Sequence, residues 1–113
     1  MVKFLADLKS FKAVVSKESF VIIDFTASWC PPCKFIGPIF VALANANAKA
    51  KGKDGRPSRL KFFKVDVDKN AEAARMAKIE AMPTFQVWKG GKKVAELVGA
   101  GEDRLKALVK KYA

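Results

Sequence analysis

Residues 21–34 have the sequence VIIDFTASWCPPCK, and they contain both cysteines of the chain, Cys30 and Cys33. The apolar run that leads into the pair, FVIIDFTA over residues 20–27, is typical of a strand that is buried on both faces of a parallel sheet. Two prolines stand between the cysteines, and proline is tolerated in the first turn of a helix because the N–H groups there have no partner within the helix. The stretch therefore predicts a buried strand that is followed, at the cysteine pair, by a helix.

Strand-like patterns recur along the rest of the chain, at residues 2–5, 60–67, 84–89 and 93–98. The last two segments flank Gly90 and Gly91, and two adjacent glycines suit the positive φ angles of a tight hairpin turn. We therefore expect these two strands to pair as an antiparallel hairpin.

Apolar residues at helical spacing predict four helices. The first is capped by Asp7, and the second follows the cysteines and gives way to a loop within residues 45–59, where large apolar side chains are missing. The third begins at Asp68 or Asn70 and runs towards Ile79. The fourth carries an apolar stripe near the C-terminal end, formed by Leu105, Leu108, Val109 and Tyr112. The order β-α-β-α-β-α-β-β-α predicts an α/β sandwich that is parallel at first and closed by an antiparallel hairpin.

The length and composition favour one globular domain. With 113 residues, half of them hydrophobic, the chain can build a single core but not two, and we expect one domain over residues 1–113. No apolar run approaches the length of a membrane span, and charged residues interrupt the N-terminal segment before a signal-peptide core could form. We therefore expect no membrane association and a cytoplasmic location, with an organelle matrix as the alternative if a transit peptide has been removed.

The charge is strongly basic, with 22 Lys and Arg against 11 Asp and Glu and a formal net charge of +11. Such an excess attracts acidic partners over a long range, and it is also compatible with loose association with nucleic acid or a membrane surface. The one local concentration of basic residues, within residues 49–59, lacks the interleaved aromatic side chains on which single-stranded bases would stack. The pattern favours a solvated basic surface and acidic client proteins over specific nucleic-acid binding.

The cysteine pair itself indicates redox chemistry, because its other possible roles fit poorly. A structural zinc site needs four Cys or His ligands, and this chain has two cysteines and no histidine, so only a cluster shared between two chains could complete one. A disulfide that closes so short a loop contributes about 2 kcal/mol at most. Two ordinary core cysteines would not explain the flanking Trp29 and prolines. A thiolate at the start of a helix has a lowered pKa, so we expect Cys30 to be an exposed nucleophile and Cys33, recessed one turn behind it, to be the resolving thiol.

Four segments resemble the thioredoxin family: VIIDFTASWCPPCK, KFFKVDVDKN, AMPTFQVWKGGKKVAELVGA and the final helix. The resemblance covers nearly the whole chain and keeps the motif order and spacing of the family, and Thr26 makes it similar to the eukaryotic cytosolic members, notably the plant h-type. It implies a thioredoxin fold, with a central mixed five-stranded sheet flanked by four helices. Two features depart from the family: Pro31 replaces the glycine of the commoner WCGPC motif, and the loop over residues 52–58 is several residues longer than usual.

By this resemblance the chain is a protein disulfide reductase. Cys30 would attack a disulfide of a client protein, and Cys33 would then resolve the mixed disulfide, which leaves Cys30 and Cys33 oxidised. The resemblance implies that no cofactor is bound and that electrons come from NADPH through thioredoxin reductase. It also implies disulfide-containing client proteins as partners and a monomeric protein.

The resemblance further implies a client-docking surface beside the cysteines. Pro83 matches the cis-proline of the family, and a cis bond would turn the backbone of Met82 outward, so that an extended client segment could pair with it as an added strand. The expected docking residues are Trp29, Pro31, Ala81, Met82, Pro83, Gly99 and Ala100. The residues expected to support the cysteines are Trp29, Pro31, Pro32, Lys64 and Pro83.

Asp24 is the one acidic residue within the buried apolar run. Strand alternation places it on the same face as Phe20 and Ile22, so we expect it to be buried, with a raised pKa, and to take Lys64 of the neighbouring strand as its partner. A buried ion pair without a catalytic part is one interpretation of this arrangement. The family resemblance implies another, in which Asp24 accepts the proton of Cys33, through water, as Cys33 attacks the mixed disulfide.

Two other functions stay open at the level of sequence. A tryparedoxin-like carrier would share the Trp-Cys-Pro-Pro-Cys motif and take its electrons from a different dithiol, although such relatives are generally longer. A basic thioredoxin-fold accessory module would bind an acidic partner, and its redox turnover would be incidental. Binding that survives the loss of Cys30 and weakens steeply with salt would indicate the accessory module.

Overall fold

The chain folds into alternating strands and helices in the predicted order, and the computed structural model describes residues 2–52 and 54–113. The strands are β1 (Lys3–Phe4), β2 (Val21–Thr26), β3 (Lys61–Asp66), β4 (Thr84–Lys89) and β5 (Lys92–Val98). The helices are α1 (Leu8–Val15), α2 (Pro31–Lys49), α3 (Ala71–Met76) and α4 (Glu102–Tyr112). The strands form one sheet in the order β1-β3-β2-β4-β5. Strands β1, β3 and β2 run parallel to one another, whereas β4 is antiparallel to β2 and β5 is antiparallel to β4. The predicted mixed sheet with four helices is confirmed.

Strand β2 lies at the centre of the sheet, between β3 and β4. Every side chain from residue 21 to residue 25 is buried, as the continuous apolar run predicted. The core on the side of α1 and α3 is built around Phe11, Phe25 and Trp88. The core on the side of α2 and α4 is built around Ile36, Phe40, Phe85 and Leu105. The C-terminal end of β2 leads directly to the cysteines at the start of α2, so the site is attached to the most deeply buried strand.

Helix α2 is longer than its sequence pattern predicted. It continues to Lys49, and the loop that was expected within residues 45–59 begins only at residue 50. Alternate residues of the extra turn are alanine, the strongest helix former, and the buried Asn47 donates from Nδ2 to the carbonyl oxygen of Leu60 at 3.0 Å. Lys53, which belongs to the predicted basic loop, lies outside the described residues. Neither α2 nor any other helix in the described residues is long and apolar enough to cross a bilayer.

Helix α3 begins at the second of its two predicted caps. The side-chain oxygen of Asn70 accepts the N–H of Ala73 at 3.3 Å, and its amide donates to the carbonyl oxygen of Leu5 at 2.9 Å. The helix ends at Met76 and does not run to Ile79, because Lys78 adopts a φ of 58° in the left-handed region. Asn70, and not Asp68, therefore caps this helix.

The hairpin between β4 and β5 is confirmed. Gly90 and Gly91 have φ angles of 59° and 80°, the conformation that a two-residue turn with a right-handed twist requires. The N–H of Gly91 donates to the carbonyl oxygen of Val15 at 2.8 Å, and that of Gly90 to Lys17 at 2.6 Å. These bonds attach the turn to the end of α1.

Candidate active site

The cysteines lie at the junction between β2 and α2, and they form a disulfide with a Cα–Cα distance of 5.2 Å. Cys30 is the N-cap of α2, and Pro31 and Pro32 occupy its first two positions. Because neither proline has an N–H, the amide of Cys33 is the first in the helix that can donate, and it donates to the Sγ atom of Cys30 at 3.3 Å. This N–H and the positive end of the helix dipole both favour negative charge on Cys30 once the disulfide is reduced.

The expected difference in exposure between the two cysteines is wrong for the disulfide form. Cys30 and Cys33 are each 4% exposed, although Cys30 was expected to be the open one. Together with Ala27 they form a small buried cluster, against which the partly buried Val67 and Met82 pack. The two cysteines are therefore distinguished by their place on the helix and not by their exposure.

The segment that precedes β4 lies against the disulfide. The Met82–Pro83 peptide bond is cis, as the resemblance implied, and the carbonyl oxygen of Met82 lies 3.8 Å from the Sγ atom of Cys30. The N–H of Gly99 donates to the carbonyl oxygen of Pro83 at 2.9 Å. These contacts place the cis bond between the disulfide and the end of β5.

The residues expected to dock a client differ in how open they are. Trp29, Pro31 and Ala81 are exposed, whereas Met82, Gly99 and Ala100 are half-buried. Trp29 immediately precedes the disulfide and is 61% exposed, which makes it the most open large apolar side chain in the described residues. Pro83 itself is buried. The structure therefore brings the Met82 carbonyl oxygen to the Cys30 sulfur and Gly99 to Pro83, while the docking role of the whole set stays a prediction.

Trp29 has a hydrogen-bond partner that no sequence pattern indicated. The Nε1 atom of Trp29 donates a hydrogen bond to Oδ2 of Asp68 at 2.7 Å, across 39 residues of sequence. Asp68 lies in a turn that Asp66 holds in place, because the Asp66 Oδ1 atom accepts the N–H groups of Asp68 and Lys69 at 2.9 and 3.2 Å. The only sequence signal at Asp68 was its candidacy as a helix cap, so the role of its carboxylate in orienting the indole ring was not predicted.

Asp24 is buried in the middle of β2, as strand alternation predicted. It is 1% exposed, and its Oδ1 atom has no hydrogen-bond partner among the described residues. Burial raises the pKa of the Asp24 carboxyl to about 7, and the charge of Lys64 opposes this rise only in part. A carboxyl with this pKa can both accept and release a proton near neutral pH.

Asp24 and Lys64 lie on neighbouring strands in register, as predicted, but they do not form the predicted salt bridge. The two residues face each other across β2 and β3. In residues 2–52 and 54–113, however, the Lys64 ammonium does not come within 4.0 Å of the Asp24 carboxylate. The ammonium lies instead 5.6 Å from the centroid of the Phe4 ring. It borders a cleft of about 570 Å³ that also reaches Cys33.

The site contains what dithiol chemistry needs. Two sulfurs stand at bonding distance, one of them at a helix start, and a buried carboxyl with a near-neutral pKa lies on the adjoining strand. In the part of the chain that the structure describes, no three His, Cys, Asp or Glu residues cluster as metal ligands would. Exchange between a dithiol and a disulfide needs no bound cofactor, because the two thiols supply both electrons.

The sequence matches the model of the thioredoxin family over residues 2–111. It is 50% identical over 93 residues to a thioredoxin H-type from Chlamydomonas reinhardtii, an alignment that covers 82% of this chain and 74% of that protein. It is 40% identical over 110 residues to thioredoxin-1 from Schizosaccharomyces pombe, with 97% of each chain covered. The fold superposes on the crystal structure of thioredoxin from Malassezia sympodialis with a TM-score of 0.87 and 37% identity, over 98% of this chain and 92% of that one.

Proposed function

The chain belongs to the thioredoxin family and is a dithiol–disulfide oxidoreductase, and we propose that Cys30 is its nucleophile and Cys33 its resolving thiol. The observation that carries this assignment is the position of Cys30 as the N-cap of α2, where its sulfur receives the N–H of Cys33 at 3.3 Å. The family implies disulfide-containing client proteins as its partners.

In the first step the Cys30 thiolate attacks one sulfur of a client disulfide. The client S–S bond breaks, a mixed disulfide forms between Cys30 and the client, and the leaving thiolate of the client takes up a proton. The first-turn amide and the helix dipole both stabilise negative charge on the Cys30 sulfur, which favours the reactive thiolate.

In the second step Cys33 attacks the Sγ atom of Cys30. The mixed disulfide breaks, the second client thiolate leaves and is protonated, and the Cys30–Cys33 disulfide forms, so that two electrons have passed to the client. Cys33 must lose its proton for this attack, and Asp24 is the acceptor that we propose. Burial keeps Asp24 ready for this role, because its pKa of about 7 leaves part of the population able to take up a proton at neutral pH.

The client docks, in this proposal, on the surface around Trp29 and the cis-proline. An extended client segment would pair with the Met82 backbone, whose carbonyl oxygen lies 3.8 Å from the Cys30 sulfur. No side chain projects from the far side of this surface at Gly99, whose φ of 104° is a conformation that residues with a side chain rarely adopt.

Replacing Asp68 by alanine should weaken client docking, because it removes the hydrogen bond that orients the Trp29 ring. For an exposed bond of this kind we expect KM for a protein client to rise about two- to fivefold, with kcat nearly unchanged. The ¹⁵N-indole resonance of Trp29 should shift and its N–H should exchange faster with water. Asp103→Ala, which removes an exposed carboxylate from α4, is the control; an unchanged indole resonance in Asp68→Ala would contradict the orienting role.

We further propose that the dithiol is regenerated by NADPH through thioredoxin reductase, and that the chain acts as a monomeric single domain in the cytoplasm. The net charge of +11 favours acidic clients through long-range attraction. Of the two alternatives, a tryparedoxin-like carrier would take its electrons from a different dithiol. A basic accessory module would act by binding an acidic partner, and its redox turnover would be incidental.

Insulin reduction tests the proposed function. The reduced protein should catalyse precipitation of insulin chains when NADPH and thioredoxin reductase are the only source of electrons, and it should do the same with dithiothreitol. The matched control is the double variant Cys30→Ser, Cys33→Ser, which should be inactive with either donor. If the protein reduces insulin with dithiothreitol but not with NADPH and thioredoxin reductase, the proposed electron donor is refuted. Inactivity with both donors would refute client reduction.

A further inference from the structure

Three side chains lie in one row across the sheet: Phe4 on β1, Lys64 on β3 and Asp24 on β2. Phe4 pairs with Lys64, and Lys64 pairs with Asp24, in parallel register. Side chains in register on parallel strands project from the same face, so all three do so here. Lys64 stands between an exposed edge, where Phe4 is 56% exposed, and the interior, where Asp24 is 1% exposed. Its flexible side chain can reach in either direction.

The Lys64 ammonium contacts the ring of Phe4. Its Nζ atom is 5.6 Å from the centroid of the ring, within the range of a cation–π contact. The Asp24 carboxylate is more than 4.0 Å away, as the ion pairs among the described residues show. Gly37 of α2 lies beside this position, where a Cβ atom would be in ordinary contact with Nζ at 3.5 Å. The ammonium therefore contacts the Phe4 ring at the border of the cleft and makes no ion pair within 4.0 Å of the buried carboxylate.

We propose that Phe4 is a positioning residue that holds the Lys64 ammonium at the edge of the sheet and so keeps it away from the Asp24 carboxyl. The aromatic face offers the cation an attraction that does not require it to give up its water, whereas contact with Asp24 would require desolvation. The consequence for catalysis rests on the proposed function, in which Asp24 accepts the proton of Cys33. The positioning itself does not depend on that role.

Few charged groups face Asp24 from the elements packed around it. Lys64 is the one on β3 in register with it, and β4 presents the uncharged Phe85. The other titratable groups at the cleft are Cys33 and Lys34 of α2 and Asp66 of β3. In the oxidised protein Cys33 does not titrate, so a titration of that form reports Asp24 with the fewest coupled groups.

The test is a pH titration of the Asp24 carboxyl in the oxidised full chain, monitored by ¹³C NMR, in the parent protein and in the variant Phe4→Leu. Loss of the ring should let the ammonium approach Asp24, and the midpoint should fall by about half a pH unit, the scale of an exposed cation–π contact. Phe4→Tyr keeps the ring and should keep the midpoint of the parent protein. An unchanged midpoint in Phe4→Leu would overturn the proposal.

A second pair of variants shows whether the effect passes through Lys64. Lys64→Gln should raise the Asp24 midpoint, because it removes the one cation that opposes the effect of burial. Phe4→Leu should then have no further effect in the Lys64→Gln background, and an equal change in both backgrounds would overturn the proposal. The pH dependence of client release should move with the midpoint. A midpoint that moves while client release does not would support the positioning by Phe4 and refute Asp24 as the proton acceptor.

Discussion

Cys30→Ser should reduce insulin reduction to the rate of the double cysteine variant, whereas Cys33→Ser should accumulate a mixed disulfide with the client. Serine at residue 30 removes the thiolate that starts the exchange, and its hydroxyl does not ionise at neutral pH. Serine at residue 33 leaves the first attack intact and removes the sulfur that completes the second. This is the largest effect that we expect from a single substitution.

The two outcomes are read from a non-reducing gel and a rate assay on the same samples. Cys33→Ser should form a covalent complex with insulin that dithiothreitol dissolves, and Cys30→Ser should form none. Parent-like turnover in Cys33→Ser, or a covalent complex that forms only in Cys30→Ser, would contradict the assigned roles. Both cysteines are equally buried in the disulfide form, so differential exposure does not predict this result.

Asp24→Asn should slow client release about a hundredfold and leave the first attack largely unchanged. Asparagine fills the same space but cannot accept the proton of Cys33. The rate of client release is measured in a single turnover of Asp24→Asn. The rate of the first attack is measured as formation of the mixed disulfide in Cys33→Ser, with and without the additional Asp24→Asn substitution. Equal slowing of both steps would indicate that Asp24 acts on Cys30 or on the fold, and not on the attack by Cys33.

The same substitution should stabilise the protein, and by more at pH 8 than at pH 4. Burial raises the pKa of Asp24 from 3.8 to about 7 in the folded state, so ionised Asp24 destabilises the fold once the pH exceeds its unfolded value, and the cost is complete above its folded value. At pH 4 the carboxyl is largely protonated in the folded state and the cost is small. At pH 8 the gain from asparagine should reach up to about 4 kcal/mol, since a pKa difference of one between the folded and unfolded states corresponds to about 1.4 kcal/mol.

Urea unfolding of the oxidised proteins at both pH values measures this difference. Asp103→Asn, which changes an exposed carboxyl on α4, is the control and should give a nearly equal, small change at pH 4 and pH 8. An equal gain from Asp24→Asn at the two pH values, or a loss at pH 8, would show that the carboxylate is well compensated in the folded protein. The proposed proton transfer would then lose its physical basis.

The sequence was sufficient to predict the order of the strands along the chain and the burial of Asp24, because both follow from the spacing of apolar residues over a few neighbouring positions. The apolar run around Asp24 has the length and composition of a central strand, and the alternation of side chains decides the face on which Asp24 lies. The hairpin glycines and the C-terminal helix depend on equally local signals. The end of α2 was predicted too early because large apolar residues were expected throughout the helix, whereas alanine propensity and the buried Asn47 sustain its last turn.

The missed features depend on contacts between distant parts of the chain. The hydrogen bond from Trp29 to Asp68 joins residues 39 apart. The contact of Cys30 with Met82 joins residues 52 apart, and only the family resemblance placed Met82 beside the cysteines. Only the family resemblance indicated the cis bond at Pro83, since nothing in the local pattern distinguishes it from a trans proline. The contact of the Lys64 ammonium with Phe4 was not predicted either, since strand periodicity specifies the row but not which neighbour the ammonium approaches.

Limited alkylation of the reduced protein tests the central assignment of roles most directly. The protein is reduced, freed of reductant and treated at pH 7 with less than one equivalent of iodoacetamide, and fragmentation of the tryptic peptide of residues 18–34 then locates the label. We predict that Cys30 is labelled first, because the start of α2 and the N–H of Cys33 stabilise its thiolate. Labelling of Cys33 first would contradict the account, since it would make Cys33 the nucleophile and Cys30 the resolving thiol.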